Sequence, residues 1–158
     1  FVLRGTSGAG KTTILRLLAG LYRPERGTVS VCGRDPASDR REVRYLPQQA
    51  QLFAGSLREN LEQLSGAPLA RIMEAAERTG IARWLSTLPM GVETVIAAQG
   101  GSVSGGQRQW LLLTAALASE QRLILLDEAL SQVDHLLREQ LQIPALFRGK
   151  TTVSVAHD

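Results

Sequence analysis

A chain of 158 residues is long enough for one domain with a sizeable core, and its net charge of +3 is spread along the sequence. Apolar residues make up 44% and charged residues 21%, both ordinary for a globular protein. No apolar run approaches the roughly 18 residues of a membrane span, and the first residues lack an export signal, so we expect the polypeptide to face the cytoplasm. The single cysteine, Cys32, excludes an internal disulfide and fits a reducing compartment.

One basic cluster stands out, formed by Arg34, Arg40, Arg41 and Arg44. A nucleic-acid surface normally combines such charges with aromatic residues, and none interleaves with these arginines. The cluster therefore predicts a solvated hairpin, and we expect no nucleic-acid partner.

The segment near the start of the chain fits a phosphate-binding loop, in which a glycine is followed by four residues and then by Gly-Lys-Thr. A short apolar strand is predicted over 1–3 and an amphipathic helix over 12–19, which is the context that this loop requires. The alternative, an ordinary glycine-rich turn, does not need that context. The predicted phosphate-binding residues are Gly5, Thr6, Ser7, Gly8, Ala9, Gly10, Lys11, Thr12 and Thr13.

The chemistry of the loop follows from its residue types. Glycines let backbone N–H groups approach phosphate oxygens, and the N-terminus of the following helix adds a partial positive charge. Lys11 is predicted to reach the β- and γ-phosphates, and the Thr12 hydroxyl to be a ligand of Mg²⁺. ATP and Mg²⁺ are the expected cofactors.

Further strands are predicted over 28–33, 43–46, 123–126 and 151–156. Helical patterns cover 56–118, including an apolar face on 69, 72, 73, 76 and 80. A last helix is predicted over 134–147, interrupted or ended near Pro144. The expected fold class is α/β, a P-loop NTPase core with a parallel sheet plus an inserted helical subdomain. We expect the core to comprise 1–53 and 119–158, and the helical subdomain to comprise 54–118.

The predicted strand over 123–126 is fully apolar and ends in Asp127 and Glu128. The carboxyl ends of buried parallel strands are where α/β sheets place their ligands. Asp127 is predicted to hold Mg²⁺, and Glu128 to polarise the water that attacks the γ-phosphate. The alternative is an acidic turn without a catalytic role.

The segment over 103–109, Val-Ser-Gly-Gly-Gln-Arg-Gln, closely resembles the signature motif of ABC-transporter ATPases. Other landmarks of that family follow in order: Gln48 resembles the Q-loop glutamine, Asp134 lies in a D-loop-like segment, and His157 resembles the switch histidine. The stretches over 52–61 and 88–94 are similar to exporter-type domains. The resemblance covers essentially the whole chain.

The resemblance implies the ATPase domain of an exporter at the cytoplasmic face of the cell membrane. Its partners would be a transmembrane domain, in the same or a separate chain, and a second ABC ATPase domain, identical or different. Each ATP would lie between the Lys11 loop of one domain and the signature of the other, with Asp134 also at the nucleotide. Gln48 would touch Mg²⁺ or the attacking water, and His157 would donate a hydrogen bond to the γ-phosphate. The implied signature residues are Ser104, Gly105, Gly106 and Gln107.

The sequence departs from the family pattern at several positions. Val103 replaces a leucine, Trp110 and Ala115 stand where arginines are common, and residues 132–133 and 97–99 differ from the usual D-loop and exporter residues. The family's first and last strands, and the aromatic residue that stacks on adenine, are expected outside these 158 residues. Two alternatives remain: a soluble ABC ATPase without a transport role, and a degenerate nucleotide-binding fragment without turnover.

Overall fold

The structure, a computed structural model, describes residues 1–48, 51–98, 101–128 and 143–155. These residues form two compact units, and each is described separately below. The first unit contains 1–48, 121–128 and 147–155, and the second contains 51–98, 101–120 and 143–146.

The first unit is built on a parallel sheet. Its four described strands are β1 (Val2–Leu3), β2 (Val43–Leu46), β5 (Leu123–Leu126) and β6 (Thr151–Val155), in the spatial order β1-β6-β5-β2. All three pairings are parallel, so the carboxyl ends of the strands share one edge. Strand β5 lies between β6 and β2 and is buried along its whole length, as the apolar run predicted.

Helix α1 (Lys11–Leu18) packs on one face of this sheet. Along each strand, alternate residues point to the same face, so Leu123 and Leu125 of β5 face the helix together with Val43 of β2. Leu15 of α1 is fully buried against them. This core holds the start of α1, and with it the preceding loop, at the carboxyl edge of the sheet.

The predicted strand over 28–33 is wrong. Only an isolated bridge is present there, in which the amides and carbonyls of Val31 and Arg34 bond each other at 2.8 and 3.0 Å. Cys32 and Gly33 between them have φ values of 50° and 76°, as at the centre of a type I′ turn. The chain reverses at once, so the alternating valines before the turn do not continue as a strand.

Arg34, Arg40 and Arg41 of the basic cluster are exposed, as expected, but the cluster does not form the predicted hairpin. Arg34 ends the tight turn, Arg40 and Arg41 lie in the loop after it, and Arg44 is half-buried on β2. Arg34 and Arg41 both pair with Asp39, at 2.6 and 2.8 Å. Arg40 donates to the Gly20 carbonyl at 2.7 Å. These ion pairs and this hydrogen bond stabilise the conformation of the loop that connects α1 to β2.

The second unit is mainly helical. Its helices are α2 (Leu57–Ser65), α3 (Leu69–Thr79), α4 (Ile81–Thr87), α5 (Gly105–Ala118) and α6 (Ile143–Leu146). A 3₁₀ turn (Gly91–Glu93) and a two-residue antiparallel ladder of β3 (Gly55–Ser56) and β4 (Val95–Ile96) complete it. The ladder was not predicted, because two residues are too few to show an alternating pattern.

Helix α5 forms the centre of the second unit and packs against α2 and α3. The predicted apolar face of α3 is confirmed at Ile72 and Ala76, which are buried, while Leu69 and Met73 are half-buried. Trp110 of α5 packs against the end of α3, where its indole N–H donates to the Thr79 carbonyl at 2.9 Å. None of the helices in the described part of the chain has the length and apolar character needed to cross a membrane.

Candidate nucleotide-binding site

The loop between β1 and α1 has the conformation that its glycines allow. Gly8 and Gly10 have φ values of 82° and 85°, in the left-handed region that residues with a Cβ rarely adopt. Gly10 is the N-cap of α1, and no described side chain caps this helix. The N–H groups of the first turn therefore point towards the loop, where they can bind an anion.

Lys11 lies inside the loop and is only 8% exposed. Its ammonium group donates to the carbonyl oxygens of Gly5 and Thr6, at 2.5 and 2.8 Å. These bonds compensate the buried charge and tie the first residues of the loop to the start of α1.

Asp127 lies directly after β5 and is 3% exposed. Its amide donates to the Leu46 carbonyl at 3.0 Å, so the pairing of β5 with β2 continues one residue past the end of β5. Oδ1 of Asp127 accepts a hydrogen bond from the Thr12 hydroxyl at 3.0 Å, and Oδ2 accepts one from the Tyr45 hydroxyl at 2.8 Å. Two of the three predicted metal ligands, Thr12 and Asp127, are thus in contact with each other.

Tyr45 was not among the predicted site residues. It lies on β2 and shares a sheet face with Val43, which brings its half-buried ring over the core towards Asp127. Burial and then the hydrogen bond to Asp127 raise the pKa of Tyr45, so the phenol is protonated and donates. The signal was the strand alternation, but the sequence does not show which neighbouring residue the hydroxyl meets.

Gln48 and Glu128 also meet in the first unit. The Gln48 amide Nε2 donates to Glu128 Oε2 at 2.7 Å. Glu128 has a φ of 50°, which is uncommon for a residue with a side chain, and it follows Asp127 where β5 has ended. Gln48 and Glu128 are therefore neighbours. The prediction that both residues act in one reaction requires this contact.

A cavity of about 470 Å³ opens above the loop. Its lining combines the phosphate loop, the beginning of α1 and the Gln48–Glu128 pair. The lining residues are Ser7, Gly8, Gly10, Lys11, Thr12, Thr13, Gln48 and Glu128.

The remaining predicted residues of the first unit do not line this cavity, and two others cannot be placed. Gly5, Thr6 and Ala9 belong to the loop itself, and the Ala9 amide donates to the Thr6 carbonyl at 3.2 Å. Asp134 and His157 lie outside the described residues.

The signature residues lie at the N-terminus of α5 in the second unit. Ser104 Oγ accepts from the Gln107 amide at 3.1 Å, and Gln107 Oε1 accepts from the Ser104 amide at 2.9 Å. This reciprocal capping box defines the start of the helix and places the amides of Gly105 and Gly106 in its first turn. Ser104 is exposed.

The donor atoms at the loop fit a hard divalent cation. The Thr12 hydroxyl and the Asp127 carboxylate are oxygen donors in direct contact, and Gln48, whose amide also carries an oxygen, lines the adjacent cavity. Mg²⁺ prefers such oxygens and normally takes its remaining ligands from phosphates and water.

A glycine-rich loop before a helix, facing an acidic pair at the carboxyl edge of a parallel sheet, defines a P-loop nucleotide-binding domain. The family model described as ABC transporter matches residues 1–131. The chain therefore belongs to the ABC transporter family.

Individual relatives agree with this assignment. The "ABC-type transporter atr1" of Mycosarcoma maydis is 37% identical, over 97% of this chain and 12% of the relative. A "putative export ATP-binding/permease protein" of Rickettsia felis is 34% identical, over 97% of this chain and 28% of the relative.

A solved structure, that of a bacterial Atm1-family ABC exporter with ATP bound, superimposes with a TM-score of 0.89 and 31% identity. The superposition covers 99% of this chain and 29% of the exporter chain. The exporter-type resemblance and the α/β P-loop fold are confirmed. The chain spans between about an eighth and somewhat over a quarter of the length of these relatives.

Proposed function

We propose that this chain binds ATP with Mg²⁺ and hydrolyses it to ADP and phosphate, and that this reaction powers export through a transmembrane domain. The observation that carries the proposal is the meeting of Lys11, Thr12, Gln48 and Glu128 around one cavity, with Asp127 bonded to Thr12. A turn with a merely structural role would not need a buried lysine and two carboxylates at the same place.

The loop provides the phosphate site. The first-turn amides of α1 and the ammonium group of Lys11 are donors that suit the β- and γ-phosphates. Thr12 and Asp127, together with Gln48, would hold Mg²⁺, which when bound neutralises charge on the phosphates. The preformed loop lowers the cost of ordering on binding.

Glu128 is the residue that would orient the attacking water. Its carboxylate lines the cavity and is held by the Gln48 amide at 2.7 Å. An ionised carboxylate accepts a hydrogen bond from water and so orients the water oxygen for attack on the γ-phosphorus, while the bond to the ADP oxygen breaks.

A second ABC domain, identical or different, would complete the site. In the proposed head-to-tail arrangement, the Ser104–Gln107 segment of one domain faces the γ-phosphate bound by the other. Asp134 would also lie at the nucleotide, and His157 would donate a hydrogen bond to the γ-phosphate. The transmembrane domain would lie in the same or a separate chain, at the cytoplasmic face of the membrane. We also propose the division into a core of 1–53 and 119–158 and a subdomain of 54–118. The exporter relatives and the exposed capping box support this arrangement.

The deciding experiment replaces Glu128 by Gln in the full-length protein. The amide no longer orients water as an ionised acceptor, so we expect ATP hydrolysis to fall roughly 10²- to 10⁴-fold. ATP binding should be retained, because the phosphate loop is unchanged. Phosphate release and equilibrium binding of a fluorescent ATP analogue measure the two properties.

The matched control is Glu77→Gln, which removes the same charge from an exposed position on α3. Its hydrolysis rate should equal that of the wild type. Near-normal hydrolysis by the Glu128 variant contradicts the assigned role. A wild-type protein that binds ATP without turnover favours the degenerate nucleotide binder.

A further inference from the structure

The two oxygens of the Asp127 carboxylate have different partners. Oδ1 is bonded to the Thr12 hydroxyl at 3.0 Å, on the side of the phosphate loop. Oδ2 is bonded to the Tyr45 hydroxyl at 2.8 Å, on the side of β2. A carboxylate can rotate about its last torsion, which is broad and roughly two-fold. With a separate partner on each oxygen, that rotation is restricted.

The hydroxyl proton of Tyr45 has a defined direction. The Tyr45 oxygen lies 2.8 Å from Oδ2 of Asp127, and a carboxylate oxygen accepts, so the phenol gives its proton to Asp127. Arg16 of α1 interacts electrostatically with Tyr45. Its guanidinium group is held by Tyr22, whose hydroxyl accepts from Nη1 at 2.8 Å and whose ring centroid lies 5.5 Å from the guanidinium carbon.

The sheet explains why Tyr45 reaches this place. In the β2–β5 register Tyr45 is opposite Leu125, and Leu46 is opposite Leu126. Leu125 and Asp127 are two residues apart and point to the same face, which is also the face of Tyr45. The Tyr45 ring packs against the core, so its hydroxyl is carried by a rigid strand and not by a loop.

We propose that Tyr45 is a positioning residue: it holds Oδ2 of Asp127, keeps Oδ1 turned towards Thr12, and thereby sets the affinity of the nucleotide site for its divalent cation. The proposal rests on the metal site proposed above. Partners that orient a metal ligand in this way typically change metal affinity 10- to 100-fold when removed.

The test compares Tyr45→Phe with Tyr22→Phe in the full-length protein. Both variants lose one tyrosine hydroxyl that interacts with Arg16 and keep the ring, but only Tyr45 donates to Asp127. Mn²⁺ is titrated in the presence of a non-hydrolysable ATP analogue, and free Mn²⁺ is followed by electron paramagnetic resonance. We expect the Mn²⁺ dissociation constant to rise about tenfold for Tyr45→Phe. It should stay within about twofold of the wild type for Tyr22→Phe.

Two further readouts separate positioning from a loss of structure. Binding of the same analogue in EDTA should be unchanged in Tyr45→Phe, because the phosphate loop does not depend on the hydroxyl. In the hydrolysis assay the half-saturating Mg²⁺ concentration should rise about tenfold, while the rate at saturating Mg²⁺ changes less.

Equal Mn²⁺ affinities in Tyr45→Phe and the wild type overturn the inference and leave the proposed metal site intact. The inference is also overturned if Tyr45→Phe loses as much affinity for the analogue in EDTA as it loses for Mn²⁺. The hydroxyl would then support the fold and not the cation. A wild type that binds the analogue but takes up no Mn²⁺ with it contradicts both the metal site and the role of Tyr45.

Discussion

Lys11 shows how a single side chain prepares the phosphate loop. Its ammonium group carries three N–H donors, and the carbonyl oxygens of Gly5 and Thr6 accept two of them in the described structure. The third can meet a phosphate oxygen without breaking the first two. The lysine thus keeps the loop in shape and offers a charge-assisted bond to the ligand at the same time.

Replacing Lys11 by alanine should weaken nucleotide binding about tenfold or more. The lost bond to an ionised phosphate contributes about 1.5–3 kcal/mol, and the loop also loses its internal tie. Titration with a fluorescent ATP analogue measures the change.

Lys150, the other lysine of the chain, supplies the control for the Lys11 variant. It donates to the Gln121 carbonyl at 2.7 Å and precedes β6, at the amino end of the parallel strands. Lys150→Ala should leave nucleotide affinity unchanged. Equal affinities of the Lys11 variant and the wild type would disprove the phosphate-loop role.

At the scale of elements, Asn60 connects helix α2 to the chain before it. The side chain is 1% exposed, and its amide makes three bonds: Oδ1 accepts from the Phe53 amide at 2.9 Å, and Nδ2 donates to the carbonyls of Phe53 and Ser56 at 3.0 and 2.9 Å. The first half of the exporter-like stretch over 52–61 is therefore a turn, and it is held by helix α2, which begins in the second half. The Ser56–Glu59 capping box defines the start of that helix.

Asn60→Ala should release this turn. The substitution removes the side-chain partner of the Phe53 N–H and of the carbonyls of Phe53 and Ser56, at a cost of ~1–3 kcal/mol for a buried unsatisfied group. Backbone hydrogen exchange in the variant should therefore be much faster in peptides that cover 51–61. The melting temperature of the variant should also be lower than that of the wild type.

Gln63→Ala changes an exposed position on the same helix and should alter neither property. Unchanged exchange over 51–61 in the Asn60 variant would mean that the turn is held by other contacts.

At the scale of the whole molecule, the proposed function requires two chains. The phosphate loop and the signature both present donors to an anion, so two such surfaces repel when no nucleotide is between them. ATP provides the anion that both surfaces bind, and hydrolysis removes the terminal phosphate. Pairing should therefore follow the nucleotide state.

We expect the complete ATP-binding domain with Glu128→Gln, including the sequence that flanks these residues, to dimerise with ATP and Mg²⁺ and to return to monomer with ADP. Adding Ser104→Arg should abolish the dimer, because a bulky cation then stands at the facing surface, while monomeric ATP binding is largely kept. Size-exclusion chromatography with light scattering measures the mass.

Ser86→Arg, which adds the same side chain at an exposed position on α4, is the control and should still dimerise. Because Ser104 also caps α5, its loss costs about 0.5–2 kcal/mol, so melting temperatures accompany the comparison. A domain that binds ATP and stays monomeric would refute the composite site.

The sequence alone determined the parts of this protein that are contiguous. The glycine-bent loop, the helix that follows it and the apolar strand β5 have the local structure that the sequence predicts. Each depends on residues next to one another: glycines at the turn, lysine and threonine at the helix start, and an apolar run before two carboxylates. The strand over 28–33 was predicted wrongly, because an alternating pattern in the sequence does not show whether a partner strand is present.

Only the tertiary structure decided which distant side chains meet. The Tyr45–Asp127 and Gln48–Glu128 bonds join residues about 80 positions apart, and both depend on the parallel register of β2 with β5. A shift of one residue would turn Tyr45 to the other face of the sheet and separate it from Asp127. Periodicity reveals which face a residue takes, but register follows from the packing of the whole sheet, so the contacts that orient the site could not be predicted from the sequence.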